Sequence, residues 1–399
     1  MGPLGFLVLR GAGAEAAGSG GMNGLNDQIV ALQWVREHIA AFGGDPGNVT
    51  LFGCSAGGLS TCTLSVAPRA RGLFRRAILE SGPCLGPWGP GSHEYGQHVA
   101  SRVMRQLRAG TVEELRALPA WALQWAQGED QYDIEFPGYW VDGWVAPVHP
   151  AERIRAGLWN PEALLLGGTS RDGVVCSAYV PDADVPAGPG DFAPLMQLHW
   201  QPRNATGGLR PTVRTLARAL GPEAAAAYPV ERFGAAGGGA AGAYKAADGD
   251  YNVVCPARET ARLAEASGVP AYLYYFTHGP CGPSAPSGCA DHGSEQDFVF
   301  GNASGFEDPR EQELSELVQA LWAAFAKTGE PAAARAGPPH PRWPRYGGSG
   351  EALQLDVGER LQLLQRFGSV GPGLTVNCDF WAQVTDSFRP AVAMRTPAS

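Results

Sequence analysis

A serine, an aspartate and a histidine, in that order along this chain, could together perform nucleophilic chemistry. Ser55 lies in "VTLFGCSAGG" (Val49 to Gly58), within Gly53-Cys54-Ser55-Ala56-Gly57. A serine hydroxyl is a weak nucleophile until a base takes its proton, and the base needs an acid to fix its tautomer. In a chain with 55 Gly among 399 residues, a bare G-x-S-x-G is a weak signal. Its frame is more informative. The apolar run Val49 to Phe52 predicts a buried strand, and a helical pattern follows Gly57-Gly58 through Leu64. A strand that turns sharply into a helix exposes the serine at a nucleophile elbow, and small flanking residues such as Gly53 and Gly57 let the backbone close up. The helix N-terminus then aims amides, beginning with that of Ala56, at a developing oxyanion. Cys54 points away from such a site and is not read as the nucleophile. The competing reading is a tight strand–helix turn with a solvated serine.

Eight histidines could supply the base. His292 follows a predicted strand and leads through Gly293 into the apolar Phe298-Val299-Phe300; His278, at the end of that same strand, is its rival. For the acid, Asp172 follows the apolar "EALLLGG" (Glu162 to Gly168) in a short polar loop, "TSRDG". Its neighbour Arg171 is expected to tolerate substitution. The order Ser, acid, His is that of α/β-hydrolases, and each candidate follows a strand, at the carboxyl edge where sheet-borne sites are built.

The elements that must position these residues alternate. Residues 25–41 repeat apolar side chains at helical spacing (Leu25, Ile29, Leu32, Val35, Ile39). "VPAYLYYFTH" (Val269 to His278) reads as a strand. Near the C-terminus, Asp308 is an N-cap, Pro309 suits the first helical position, and Leu314, Leu317, Val318, Leu321, Trp322 and Phe325 form one stripe ending near Gly329. Helices alternating with strands predict an α/β architecture, taken as a single domain over 1–399. Residues 181–211 and 233–250 offer no stripe to bury and are expected to be surface loops.

Composition narrows the partners. The chain is 44% hydrophobic and 17% charged, a globular composition. A net charge of −9 argues against nucleic acid as the main partner. No apolar run reaches the length of a membrane span, and the first residues do not read as a signal peptide. None of the eight cysteines forms C-x-x-C, so a zinc ribbon is not expected. Sequons occur at Asn48, Asn204 and Asn302; Asn48 precedes a predicted buried strand, which leaves Asn204 and Asn302 as glycosylation candidates.

The chain resembles the type-B carboxylesterase/lipase family, the group that includes cholinesterases. The resemblance rests on "GLNDQIVALQWVREHIAAFGGDPGNVTLFGCSAGG", "GLFRRAILESG", "VDGWVAPVHP", "GGTSRDG", "DHGSEQDFVFG", "FAKTGEP" and "WPRY". It implies an α/β-hydrolase fold with a mostly parallel central sheet, and hydrolysis of small-molecule or lipid carboxylic esters by Ser55, His292 and Asp172, the last where the family often has Glu. No metal or organic cofactor is implied. The resemblance also implies a Cys255–Cys378 disulfide, Trp88 as an acyl-pocket residue, and a secretory route for the full-length protein. A Cys281–Cys289 loop is an open alternative, and the pairing of Cys54, Cys62, Cys84 and Cys176 is open too. Cholinesterases carry Glu where this chain has Cys54, so choline esters are not the expected substrate. Family members carry a long portion ahead of "GPLGFL", including a Gly-rich loop that supplies most of the oxyanion hole. The chain is therefore expected to be N-terminally incomplete. The alternatives are a catalytically impaired homologue or a non-catalytic binding or adhesion module.

Overall fold

The computed structural model describes residues 2–9, 21–86, 89–126, 139–173, 226–233, 239–279, 289–306, 308–332, 341–347, 350–369 and 376–383. The chain divides into two compact units. Of the described residues, those up to 164 and 266–269 form one, and those in 165–173, 226–265 and from 270 onward form the other.

The first unit is organised around a βαβ element. Helix α1 (Asn23–His38) buries Leu25, Ile29 and Leu32 of the predicted stripe, and Val35 and Ile39 are half-buried. Strand β1 (Thr50–Cys54) pairs in parallel with β2 (Arg76–Glu80), Thr50 opposite Arg76 and Cys54 opposite Glu80. Between them, helix α2 (Ala56–Val66) packs on both strands and buries every residue from Gly58 to Val66. Such a helix must satisfy its own hydroxyls, because water cannot. Ser60, Thr61, Thr63 and Ser65 donate to the carbonyls four residues back, at 2.7–2.9 Å. A disulfide that the sequence left open, Cys62–Cys84, ties α2 to the segment after β2. Helices α3 (His93–Gln106), α4 (Val112–Ala117), α5 (Ala120–Trp125) and α6 (Pro150–Arg155) also belong to this unit. Leu7, Val8, Val99, Val103 and Leu115 pack around Trp140, whose indole N–H donates to the Phe6 carbonyl at 2.7 Å.

β3 (Ala163–Thr169), which lies in the second unit from Leu165 onward, β4 (Ala271–Phe276), β5 (Ala352–Leu355) and β6 (Gln362–Leu364) follow one another in the sheet. β4 and β5 are parallel, and β6 returns antiparallel. Every residue of β3 and β4 is buried, which explains their continuous apolar runs. Residues 233–250, expected as a surface loop, instead contain helix α7 (Gly239–Gly249), which continues through a π-helical turn (Asp250–Val254) into α8 (Cys255–Ala266). The physical reason is close packing. Ala243, Ala246, Ala247 and Asp248 are buried, and a Cβ at Gly249 would lie 2.7 Å from the Gly173 nitrogen and 2.8 Å from that of Asp172. Small residues that offer no hydrophobic stripe are what permit that approach. The other expected loop, 181–211, lies outside the described residues.

The Cys255–Cys378 disulfide is present. Beside it the Asp250 carboxylate accepts from Tyr228 Oη (2.6 Å) and the Asn377 N–H (2.9 Å). Burial raises this carboxyl to about 7 against those two bonds, and the charge of Asp172 adds to the rise. Helix α9 (Gln296–Phe300) packs on α10 (Pro309–Thr328). α10 matches its sequence signals: an Asp308–Glu311 capping box, the predicted stripe buried, and Gly329 at φ 85° closing the helix.

Replacing Cys62 and Cys84 together by Ser frees a 22-residue separation and should cost about 3 kcal/mol of stability. The measurement is the denaturant midpoint under oxidising conditions. An unchanged midpoint would mean that the bridge does not constrain the chain.

Candidate active site

Ser55 occupies the step between β1 and α2, at φ 57° and ψ −119°. A non-glycine residue in this region costs about 1–3 kcal/mol and persists only where its surroundings over-determine it. Here they do. The Ser55 N–H donates to the Glu80 carbonyl at 2.9 Å, and the Ser55 carbonyl accepts from the Leu59 N–H at 2.9 Å. Helix α2 starts at once with Ala56, earlier than the pattern from Gly57-Gly58 predicted. Ala56 is exposed, and helix geometry leaves its N–H without an intrahelical acceptor. Cys54, the last residue of β1, is a half-buried thiol.

Three glycines make this turn possible, and two of them fall outside the G-x-S-x-G pattern. A Cβ at Gly53 would sit 2.7 Å from the Gly57 carbonyl carbon; one at Gly58 would meet the Glu80 oxygen at 2.8 Å and Gly82 Cα at 2.9 Å. One at Gly82 would fall on the Ser55 carbonyl oxygen and lie 2.5 Å from the Leu59 nitrogen. Gly57, although it completes the motif, faces open space. The constraint is therefore contact between α2 and the turn after β2, a signal that spacing around Ser55 does not carry.

In the second unit the structure brings Asp172 and His292 together. His292 Nδ1 donates to Asp172 Oδ1 at 2.5 Å, with the two side chains 9% and 0% exposed. The second carboxylate oxygen of Asp172 accepts from the Thr169 N–H at 2.7 Å, so the loop after β3 curls around its own acid. Gly168 and Gly173 pack too closely for side chains, against Asp172 Oδ2 and the Lys245 carbonyl respectively. Gly293, at φ 80°, turns the chain just after His292. Burial disfavours the imidazolium, but the hydrogen bond and charge of Asp172, with a smaller contribution from Glu295, raise the His292 pKa above its ordinary value. Glu295 was not singled out by the sequence. It is buried and accepts from Tyr274 Oη at 2.9 Å.

The rival His278 is engaged elsewhere. Its Nε2 pairs with Glu311 Oε1 at 2.7 Å, its Nδ1 lies 3.4 Å from Asp356 Oδ1, and its ring meets Phe298 edge-on. Arg171, the neighbour of the acid that is expected to tolerate substitution, forms an ion pair with Asp291. Of the other expected site residues, Trp88, Asn204, Cys176 and Cys281 lie outside the described residues. Asn302 is exposed, its amide donating to Asp297 at 2.9 Å, whereas the Asn48 side chain accepts from Arg76. Among the described residues no group of three or more His, Cys, Asp or Glu is arranged to hold a metal ion. Nor is any described helix long and apolar enough to cross a membrane.

Two substitutions separate packing from motif. Gly82→Ala should destabilise by about 2–3 kcal/mol through overpacking, while Gly57→Ala should be neutral or stabilise by up to about 1 kcal/mol as a helical position. Thermal unfolding of both variants decides. Equal effects would contradict the assignment of the constraint to Gly82.

Known proteins match most of this chain. The profile of the carboxylesterase family covers residues 1–367. The para-nitrobenzyl esterase of Bacillus subtilis (strain 168) is 30% identical over 367 residues, which span 87% of this chain and 65% of that protein. The acetylcholinesterase of Leptinotarsa decemlineata is 28% identical over 360 residues, spanning 83% of this chain and 54% of that protein. The chain thus covers less than two thirds of the length of these relatives.

Proposed function

Because this chain belongs to the carboxylesterase family, whose fold is the α/β-hydrolase fold, we propose that it hydrolyses carboxylic esters through an acyl-enzyme. Ser55 Oγ attacks the ester carbonyl while His292 Nε2 takes its proton. Asp172 holds Nδ1 protonated, so that Nε2 is the basic nitrogen, and stabilises the imidazolium that forms. The Ala56 N–H is one donor to the oxyanion. The imidazolium then protonates the leaving alcohol. Neutral His292 next activates water, which attacks the acyl-serine and releases the acid.

The observation that carries this reading is the buried Asp172–His292 pair. It has one hydrogen bond to spend on orientation and an imidazole poised above its ordinary pKa. The strained backbone at Ser55 supports it from the other unit. Cys54 brings no carboxylate next to Ser55, which favours neutral over cationic esters. Uncharged p-nitrophenyl and p-nitrobenzyl esters are therefore the first substrates to test. The Cys62–Cys84 and Cys255–Cys378 disulfides suit an oxidising compartment, and we infer a secretory route for the protein, with Asn302 a candidate glycan acceptor.

Wild-type protein should hydrolyse short-chain p-nitrophenyl esters and take up one organophosphate at Ser55. Survival of labelling and turnover in Ser55→Ala would remove Ser55 from the mechanism. The base must be neutral to act, so the raised His292 pKa places the acid limb of kcat/KM above pH 6.5. Activity is lost as pH falls through that limb and is restored above it. In Asp172→Asn the limb should move to lower pH while kcat drops by roughly three to four orders of magnitude. A limb that stays in place would detach Asp172 from His292.

A further inference from the structure

The acid and base loops of the second unit meet over three successive residues in one register, not at one contact. The Ser170 hydroxyl accepts from the Ala290 N–H at 3.0 Å, and the Arg171 N–H donates to the Ala290 carbonyl at 2.9 Å. Arg171 and Asp291 then form a parallel backbone bridge. Their side chains add an ion pair, Nε to Oδ1 at 3.0 Å, with Arg171 only 12% and Asp291 36% exposed. The third rung is Asp172 with His292. Ser170 is itself anchored, its N–H donating to Phe276 at the end of β4.

We propose that Arg171 and Asp291 are positioning residues, a charged latch that fixes the register in which the acid of one loop meets the imidazole of the other. The reading of His292 as the base of an ester hydrolase underlies its catalytic consequence. The chemistry is that of leverage. Each member of the ion pair is the immediate neighbour of one member of the dyad, so the pair restrains both Cα atoms at the rung where the hydrogen bond forms. A sub-ångström slide or twist of one loop would lengthen a 2.5 Å bond whose strength depends on alignment. Backbone bonds at Ala290 hold the two loops together, but they leave the twist of the last rung to the side chains. A partly buried pair is screened less than a surface one, which suits it to that task.

A latch and a simple charge effect make opposite predictions. If Arg171 and Asp291 acted only through their fields, removing the cation would raise the His292 pKa and removing the anion would lower it. If they position the dyad, both removals loosen the same bond, and both lower it. The experiment therefore measures the His292 pKa by NMR in wild type, Arg171→Gln, Asp291→Asn and the double variant. It also measures kcat and KM on a p-nitrophenyl ester, and unfolding midpoints. The expected result is a fall in pKa in both single variants and a loss in kcat of about 10- to 100-fold. KM should stay within about twofold, because the substrate contacts are untouched. The double variant should be no worse than the poorer single, and Arg171→Lys should recover part of the loss. Shifts of opposite sign, no shift in either single variant, or additive losses in the double would overturn the latch. Should Arg171→Gln fail to fold, Arg171→Lys and Asp291→Asn carry the same comparison. Absence of ester turnover in wild type would sink the hydrolase reading, yet the titration would still decide the latch.

Discussion

One buried hydrogen bond, between Asp172 and His292, is the interaction on which the second unit is built. Burying a carboxylate and an imidazole is costly unless each satisfies the other. Together they still leave one carboxylate oxygen to be paired. The Thr169 N–H pairs it, and this forces the chain after β3 into a tight curl. That curl leaves no room for side chains at Gly168 and Gly173, and α7 presses Gly249 against its backbone. Helix α7, the acid loop and the histidine loop are thus a single solution to placing one charge in a dry interior.

The first unit solves a different problem with similar means. The αβ junction at Ser55 needs two backbones closer than any Cβ allows, and Gly53, Gly58 and Gly82 supply the space. Helix α2 then offsets its burial from Gly58 to Val66 by returning its four hydroxyls to its own carbonyls. The Cys62–Cys84 bridge joins the same two segments that the glycines bring together. Covalent and steric constraints therefore act on one short stretch.

What could be read from the sequence follows the range of the interaction responsible. α10 was legible because its cap, stripe and terminating glycine all lie within the helix. β3 and β4 were legible because burial on both faces writes a continuous apolar run. β5 and β6 were not, being three or four residues long and defined by their partners. α7 was hidden by the small residues that let it dock. The site divides in the same way. Ser55, Asp172 and His292 were candidates from local patterns and from the family's blocks. His292 was preferred to His278 from the family's blocks, and the contacts that engage His278, with Glu311 of α10 and Asp356 after β5, were not legible because both partners are distant in sequence. The Arg171 ion pair was not legible because its partner is 120 positions away, and Gly82 escaped notice because the serine it admits is 27 positions earlier.

The backbone at Ser55 also sets a preference that works against the serine itself. At φ 57° the energetically preferred residue is glycine, which would relieve the strain without disturbing any hydrogen bond, since both are made by the main chain. Folding alone therefore exerts a steady pull from serine toward glycine at this position. The hydroxyl at this position is therefore carried at a cost to folding, which no contact of the described main chain requires.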